Sequence, residues 1–284
     1  MKQKYWIFSF LTVLIWGGAS VLIRLTFGSF SALTLAAGRL LIAAITLLII
    51  CVIKKIPPPR LRDVPIFFIA GAVGFALYTI LYYLGFALVT AATGNVVLAS
   101  APIFSALIAR VLFKERIRPL GWVFTGVSFA GILILVLWNG VLLINLGVVW
   151  LLIAAVFFSA YNLMQRRLTQ RYTALQSSAF SVIASAILMS PFLPSIIRDF
   201  VAAPPGAIMV LFYLGVLSSG IAFLLWSKAF SLAKRTADVA NFLYLPPFIS
   251  AILAFAIYRE TPDWGTVIGG IIILFGLWMF QKKA

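Results

Sequence analysis

The residues able to do chemistry in this sequence are few, and most stand inside apolar stretches. Asn95 precedes Pro102 by about two helical turns, with Ala99 between them. Asn241, Tyr244 and Phe248 recur at i, i+3 and i+7, the spacing of one helix face. Tyr78 and Tyr82 lie one turn apart, and Ser219, Phe223 and Trp226 form a stripe. Trp16, Ser159 and Asn162 complete the neutral set, and Arg39 is a cation within an apolar segment. Lipid offers such groups no partner, so each must bond to protein, to water or to a solute. Amides, phenols and indoles in this setting suit the binding of a small amphiphilic molecule. Covalent catalysis fits poorly. The sequence has no histidine and one cysteine, Cys51, which excludes His-based zinc sites, Ser-His hydrolase arrangements and disulfide frameworks. The only bases left for an intramembrane enzyme are Lys228 and peripheral carboxylates. The expectation is therefore no enzyme, no cofactor and no metal.

The elements that must position these residues follow from composition. Of 284 residues 64% are hydrophobic and only 10% charged, with a mean hydropathy of +1.14. A soluble domain needs far more polar surface than this. Crossing about 30 Å of hydrocarbon takes roughly 20 apolar residues in a helix. Segments 5–23, 31–53, 64–85, 93–113, 119–138, 146–165, 174–193, 207–230, 238–258 and 264–281 qualify. Short loops join them, punctuated by Pro57–Pro59, Asn139–Gly140, Pro194 and Pro204–Pro205. The expected fold is an all-α integral membrane protein of ten transmembrane helices.

Net charge is +16, but the basic residues are scattered among short loops, which fits topology control and not nucleic-acid binding. Of 22 basic residues, Arg24, Arg198 and Arg259 fall on one side and Arg39 within a span. The other eighteen fall on the opposite side or at its helix ends. This bias predicts both termini in the cytoplasm, in an inner or plasma membrane.

One stretch occurs twice. A shift of 145 positions superimposes Pro102 on Pro247, Ser105 on Ser250, and Glu115 on Glu260, and 12 residues separate proline from glutamate in each copy. Five spans per half is an odd number, so the second copy must enter the membrane upside down. Residues 1–140 and 141–284 then form two inverted five-helix repeats around a central cavity, a plan of secondary transporters. Each proline removes a backbone hydrogen bond and should kink its helix. Because the feature recurs, Pro102 and Pro247 are expected to be bending points for opening either mouth.

These features resemble the drug/metabolite transporter superfamily and its EamA-like members. The resemblance rests on IWGGASVLIR at 15–24, LAAGRLLIAA at 35–44 and FALVTAATGNVVLASAPIFSALIARVLFKERI at 86–117. Arg39 matches the arginine typical of the family's second helix, whereas Ser181 stands where it would repeat. The resemblance implies solute exchange through a cavity lined by the first, third, fourth, sixth, eighth and ninth helices, with the fifth and tenth peripheral. It also implies export of amino acids, related metabolites or drugs by alternating access.

The expected cavity residues are Trp16, Tyr78, Tyr82, Asn95, Asn162, Trp226, Asn241 and Tyr244. Arg39 has either a structural role or that of binding a substrate carboxylate. All six acidic residues lie in loops or near helix ends, so proton coupling should be weak or absent. The expected partners are the bilayer and a small solute, with the chain a monomer or homodimer. A multidrug carrier of the same fold and a lipid scramblase are the alternatives.

Overall fold

A backbone surrounded by apolar side chains and lipid satisfies its own hydrogen bonds by forming helices. The computed structural model describes residues 4–26, 28–89, 94, 97–115, 117–138, 146–258 and 264–283, and among the described residues there is no strand. The helices are α1 (Tyr5–Leu22), α2 (Ala32–Ile53), α3 (Leu61–Phe86), α4 (Ala101–Phe113) and α5 (Pro119–Leu137). They continue as α6 (Leu146–Arg171), α7 (Ala174–Ala202), α8 (Pro205–Leu232), α9 (Pro246–Tyr258) and α10 (Trp264–Lys283). Six helical runs among the described residues are long and apolar enough to cross a membrane, and shorter apolar stretches occur in α1, α4, α5 and α10. Local capping fixes some starts. Ser31 Oγ accepts the Thr34 amide before α2, and Thr173 with Gln176 forms a capping box before α7.

Pro194 does not end its span. It occupies the first turn of a helix, Leu193–Ala202, which carries α7 beyond residue 193. Proline is tolerated there because a first-turn amide has no helical acceptor anyway. Thr34 then donates a 2.6 Å hydrogen bond to Asp199, tying the start of α2 to this extension.

The same physics alters the reading of Pro102 and Pro247. Each is the second residue of a new helix and not the hinge of a continuous one. Ala99 and Ser100 form a turn before α4. Before α9, a short helix Thr236–Ala240 and a 3-10 turn Asn241–Tyr244 lead to a bend at Leu245. The expected kinks thus fall at junctions, where a turn or 3-10 segment with helical backbone leads into a new α-helix.

Two further irregularities correspond. α3 contains a π-helical run at Ala72–Leu77 and α8 another at Tyr213–Ile221. In α3 the run faces α6, where a Cβ on Gly74 would stand 2.1 Å from the Tyr161 ring. Only glycine lets that aromatic ring seat against the backbone.

α5 and α10 pack together through small residues. A Cβ on Gly276 would stand 2.3 Å from Ser128 Oγ and 2.8 Å from the Ser128 nitrogen. In lipid such close approach is a main source of helix association, because dispersion contacts need short range. Gly276→Val is expected to separate the pair and destabilise the protein by about 1–3 kcal/mol. Thermal unfolding in detergent reads this; an unchanged midpoint would show that the pair contributes little.

Candidate solute cavity

α1, α2, α3, α4, α6, α8 and α9 surround a cavity of about 120 Å³. Since a buried water needs roughly 10–15 Å³ by the same measure, this space admits a small solute and not merely one water. Its lining residues fall late in α1, early in α2 and late in α3, which places the cavity in the half of the bundle away from Tyr5.

One wall is aromatic. The Trp16 ring lies 5.1 Å from Phe223 and 5.8 Å, edge-on, from Phe158. Tyr78 is 4.9 Å from Phe158 and 5.9 Å from Tyr82. These separations suit tilted and edge-to-face contact, leaving ring faces available to a guest. The Trp16 indole N–H donates to the Ser218 carbonyl at 3.0 Å. At the end of the α8 π-run the Ala222 amide reaches back to Leu217, and the next carbonyl along takes the indole.

The opposing feature is Arg39. Its Nε donates to Ser219 Oγ at 2.7 Å, Nη1 to the Tyr83 hydroxyl at 3.1 Å, and Nη2 to Ser218 Oγ at 3.3 Å. Among the described residues no carboxylate forms an ion pair with it. A cation at membrane depth costs about 2.5–3.5 kcal/mol on insertion scales. Three neutral hydroxyls solvate this one without neutralising it, and it faces the cavity.

Of the residues expected to line the cavity, Trp16, Tyr78 and Tyr82 do so, together with Arg39 and Pro247. Pro102 is buried beside the lining residue Ala101. Asn95 lies outside the described residues. Asn162, Trp226, Asn241 and Tyr244 are buried but do not reach the cavity. Trp226 donates its indole N–H to Asn162 Oδ1 at 2.9 Å, and Asn162 Nδ2 donates to Ser105 Oγ at 3.2 Å. Asn241 donates to Thr125 at 3.4 Å. These amides join helix to helix, the common fate of a polar side chain in lipid. Asn162→Ala should therefore cost about 2–3 kcal/mol, by leaving the Trp226 N–H and Ser105 unpaired. Pairing Asn162→Leu with Trp226→Phe should recover part of that loss in thermal unfolding.

Sequence spacing missed Tyr83, Phe158, Leu214 and Ser218. On α8 the lining residues are Leu214, Ser218 and Phe223, spaced by four and then five. A π-helical turn is wider than 3.6 residues, so of the regular stripe Phe223 stays on the cavity while Ser219 and Trp226 fall off it.

Beyond the cavity, α4 and α6 are stitched together turn by turn. Ser159 Oγ donates to the Ala101 carbonyl at 2.8 Å, then Asn162 meets Ser105, and then Arg166 pairs with Glu115 at 2.6 Å. Glu115 also accepts from the Thr236 amide at 2.9 Å and its hydroxyl at 3.0 Å. A partly buried charged cluster thus ties α6 and the end of α4 to Thr236.

The chain matches the model of the EamA-like transporter family twice, over residues 3–137 and 145–281. It is 29% identical over 273 residues to a probable terminal-alkyne amino-acid exporter of Streptantibioticus cattleyicolor, covering 96% of this chain and 92% of that one. It is 32% identical over 190 residues to an S-adenosylmethionine uptake transporter of Rickettsia prowazekii, covering 67% of this chain and 63% of the relative. A solved crystal structure covers the whole of both chains with a TM-score of 0.81 at 19% identity, a likeness of fold. The repeated family match, the apolar helices and the cavity between them agree: the chain is a membrane-spanning transporter and belongs to the EamA-like transporter family.

Proposed function

We propose that the chain is an exporter or facilitator of small amphiphilic metabolites such as amino acids, working by alternating access through this cavity. The observation that carries the reading is the cavity itself, with an unneutralised guanidinium on one side and aromatic rings on the other. An amphiphile with one anionic end matches both. A relative named as an amino-acid exporter supports that class, and relatives named for export and for uptake suit a carrier that follows its solute gradient.

In this reading ten helices form two inverted repeats, 1–140 and 141–284, with both termini in the cytoplasm of a cell-membrane protein. The paired π-runs in α3 and α8 support the repeat, as do the paired irregular junctions before α4 and α9. They recur at matching places in each half, and helices interrupted near a repeat interface are typical of transporter sites. The charged cluster around Glu115 then lies on the cytoplasmic side. A multidrug carrier is the second reading, favoured by the aromatic wall.

Counterflow in liposomes against a panel of amino acids and cationic dyes tests this. Amino-acid exchange supports the reading, dye exchange alone favours the drug carrier, and lipid movement without solute exchange overturns both. None of the described carboxylates lines the cavity, so a pH gradient alone is expected to drive little uptake. Strong stimulation by that gradient would remove the gradient-driven mechanism.

A further inference from the structure

We propose that the π-helical run of α8 is the specificity element of the cavity, setting Ser218 and Ser219 against Arg39 so that the guanidinium presents its free edge to a single carboxylate. This rests on the cavity being the solute site. In a regular α-helix, successive side chains diverge by about 100°, since 3.6 residues make a turn. A wider π-turn narrows that divergence, which helps two adjacent serines serve one broad group. Within Tyr213–Ile221 they do: Ser219 takes Nε at 2.7 Å and Ser218 takes Nη2 at 3.3 Å, along one edge of the guanidinium. Tyr83 takes Nη1 at 3.1 Å.

A guanidinium has five N–H groups in a fixed fork. Three are used, one on each nitrogen, so one remains on Nη1 and one on Nη2. That remaining pair is the forked donor set that a carboxylate engages with both oxygens. Held on three atoms, the group keeps its orientation whether or not a solute is present. Ser218 also joins the two halves of the site, because its carbonyl holds the Trp16 indole at 3.0 Å while its hydroxyl holds Arg39. Among the described residues the rest of the lining offers no second cation, so another anionic group on the solute would meet Phe158, Phe223 or Leu214. The preferred class is a monocarboxylate or zwitterion with an apolar body.

The test compares leucine and phenylalanine with their amides, using the full chain in liposomes and thermal shift of the purified protein. Wild type should bind and exchange each acid in preference to its amide. Ser218→Ala combined with Ser219→Ala should shrink the acid-to-amide affinity ratio about tenfold, the size of one charge-assisted hydrogen bond, and change the maximal rate far less. Ser218→Thr with Ser219→Thr keeps both hydroxyls and should restore the ratio. Equal weakening of acids and amides by the alanine pair would reduce the serines to packing and overturn the proposal. Wild type with no acid preference, yet exchanging dyes or amides, would overturn it and leave the transport reading intact. Absence of counterflow for every solute would sink the transport reading itself.

Discussion

Arg39→Gln is expected to lower transport of a carboxylated solute by about 100-fold or more while the protein stays folded. Removing one partner of a buried, hydrogen-bonded charge pair costs about 2–5 kcal/mol, and each 1.4 kcal/mol is tenfold. Stability should move the other way or hardly at all. The cation has three hydroxyl partners and, among the described residues, no ion-pair partner, so its loss relieves a desolvation cost. The glutamine amide can still bond to part of the Ser218, Ser219 and Tyr83 set. Arg39→Lys should rescue little, because a point charge cannot reproduce the fork. Counterflow kinetics beside a melting curve separates the cases. Unchanged exchange by a folded Arg39→Gln protein would show that the arginine only braces α2 against α8 and α3.

Glu115→Gln is expected to loosen the end of the bundle where Glu115 pairs with Arg166. The Glu115 and Arg166 side chains retain only 9% and 15% of their exposure, and the pair joins α6 to the residues just beyond α4. Glu115 also holds Thr236 through its amide and hydroxyl, so one carboxylate fixes three elements. Breaking a buried pair from one side costs about 3–5 kcal/mol, because the remaining charge is stranded. Arg166 keeps the Thr236 hydroxyl at 3.2 Å and the Lys234 carbonyl, so the cost lies at the low end of that range and is relieved as α4 and α6 part. The open population should rise roughly 100-fold.

Maleimide labelling reads this directly, with Ala109→Cys in a Cys51→Ser background. Ala109 is buried one turn beyond Ser105 on α4 and should become reactive from that side of the membrane. Arg166→Gln should act in the same direction, and the double variant should label less than either single one, since no charge is left unpaired. Single variants that melt lower but label like the parent would make the pair a staple and not a gate.

Much of the fold is legible along the chain. A segment such as α2 is apolar nearly throughout, interrupted by Arg39, and Thr173 with Gln176 announces the start of α7 three residues apart. Pro102 and Pro247 are visible as a recurrence, but not as the first turns of new helices. That outcome depends on whether the preceding residues find other partners, as Ser100 does by donating its hydroxyl to the Val97 carbonyl at 2.5 Å. The site is less legible. Trp16, Tyr78, Tyr82 and Arg39 combine a polar atom with membrane depth and do meet at the cavity. Asn162 and Trp226 carry the same signal yet bond to each other. Ser218 carries almost none and reaches both sides of the site.

The sequence by itself determined that this chain is helical, lies in lipid and repeats itself, because hydropathy and backbone satisfaction are properties of each segment alone. Only the tertiary structure decided which polar groups face the solute. A buried amide or hydroxyl bonds to whatever lies within about 3 Å, and that neighbour comes from helix packing and from the π-turn phase of α8. Both are fixed by contacts between segments far apart in the chain.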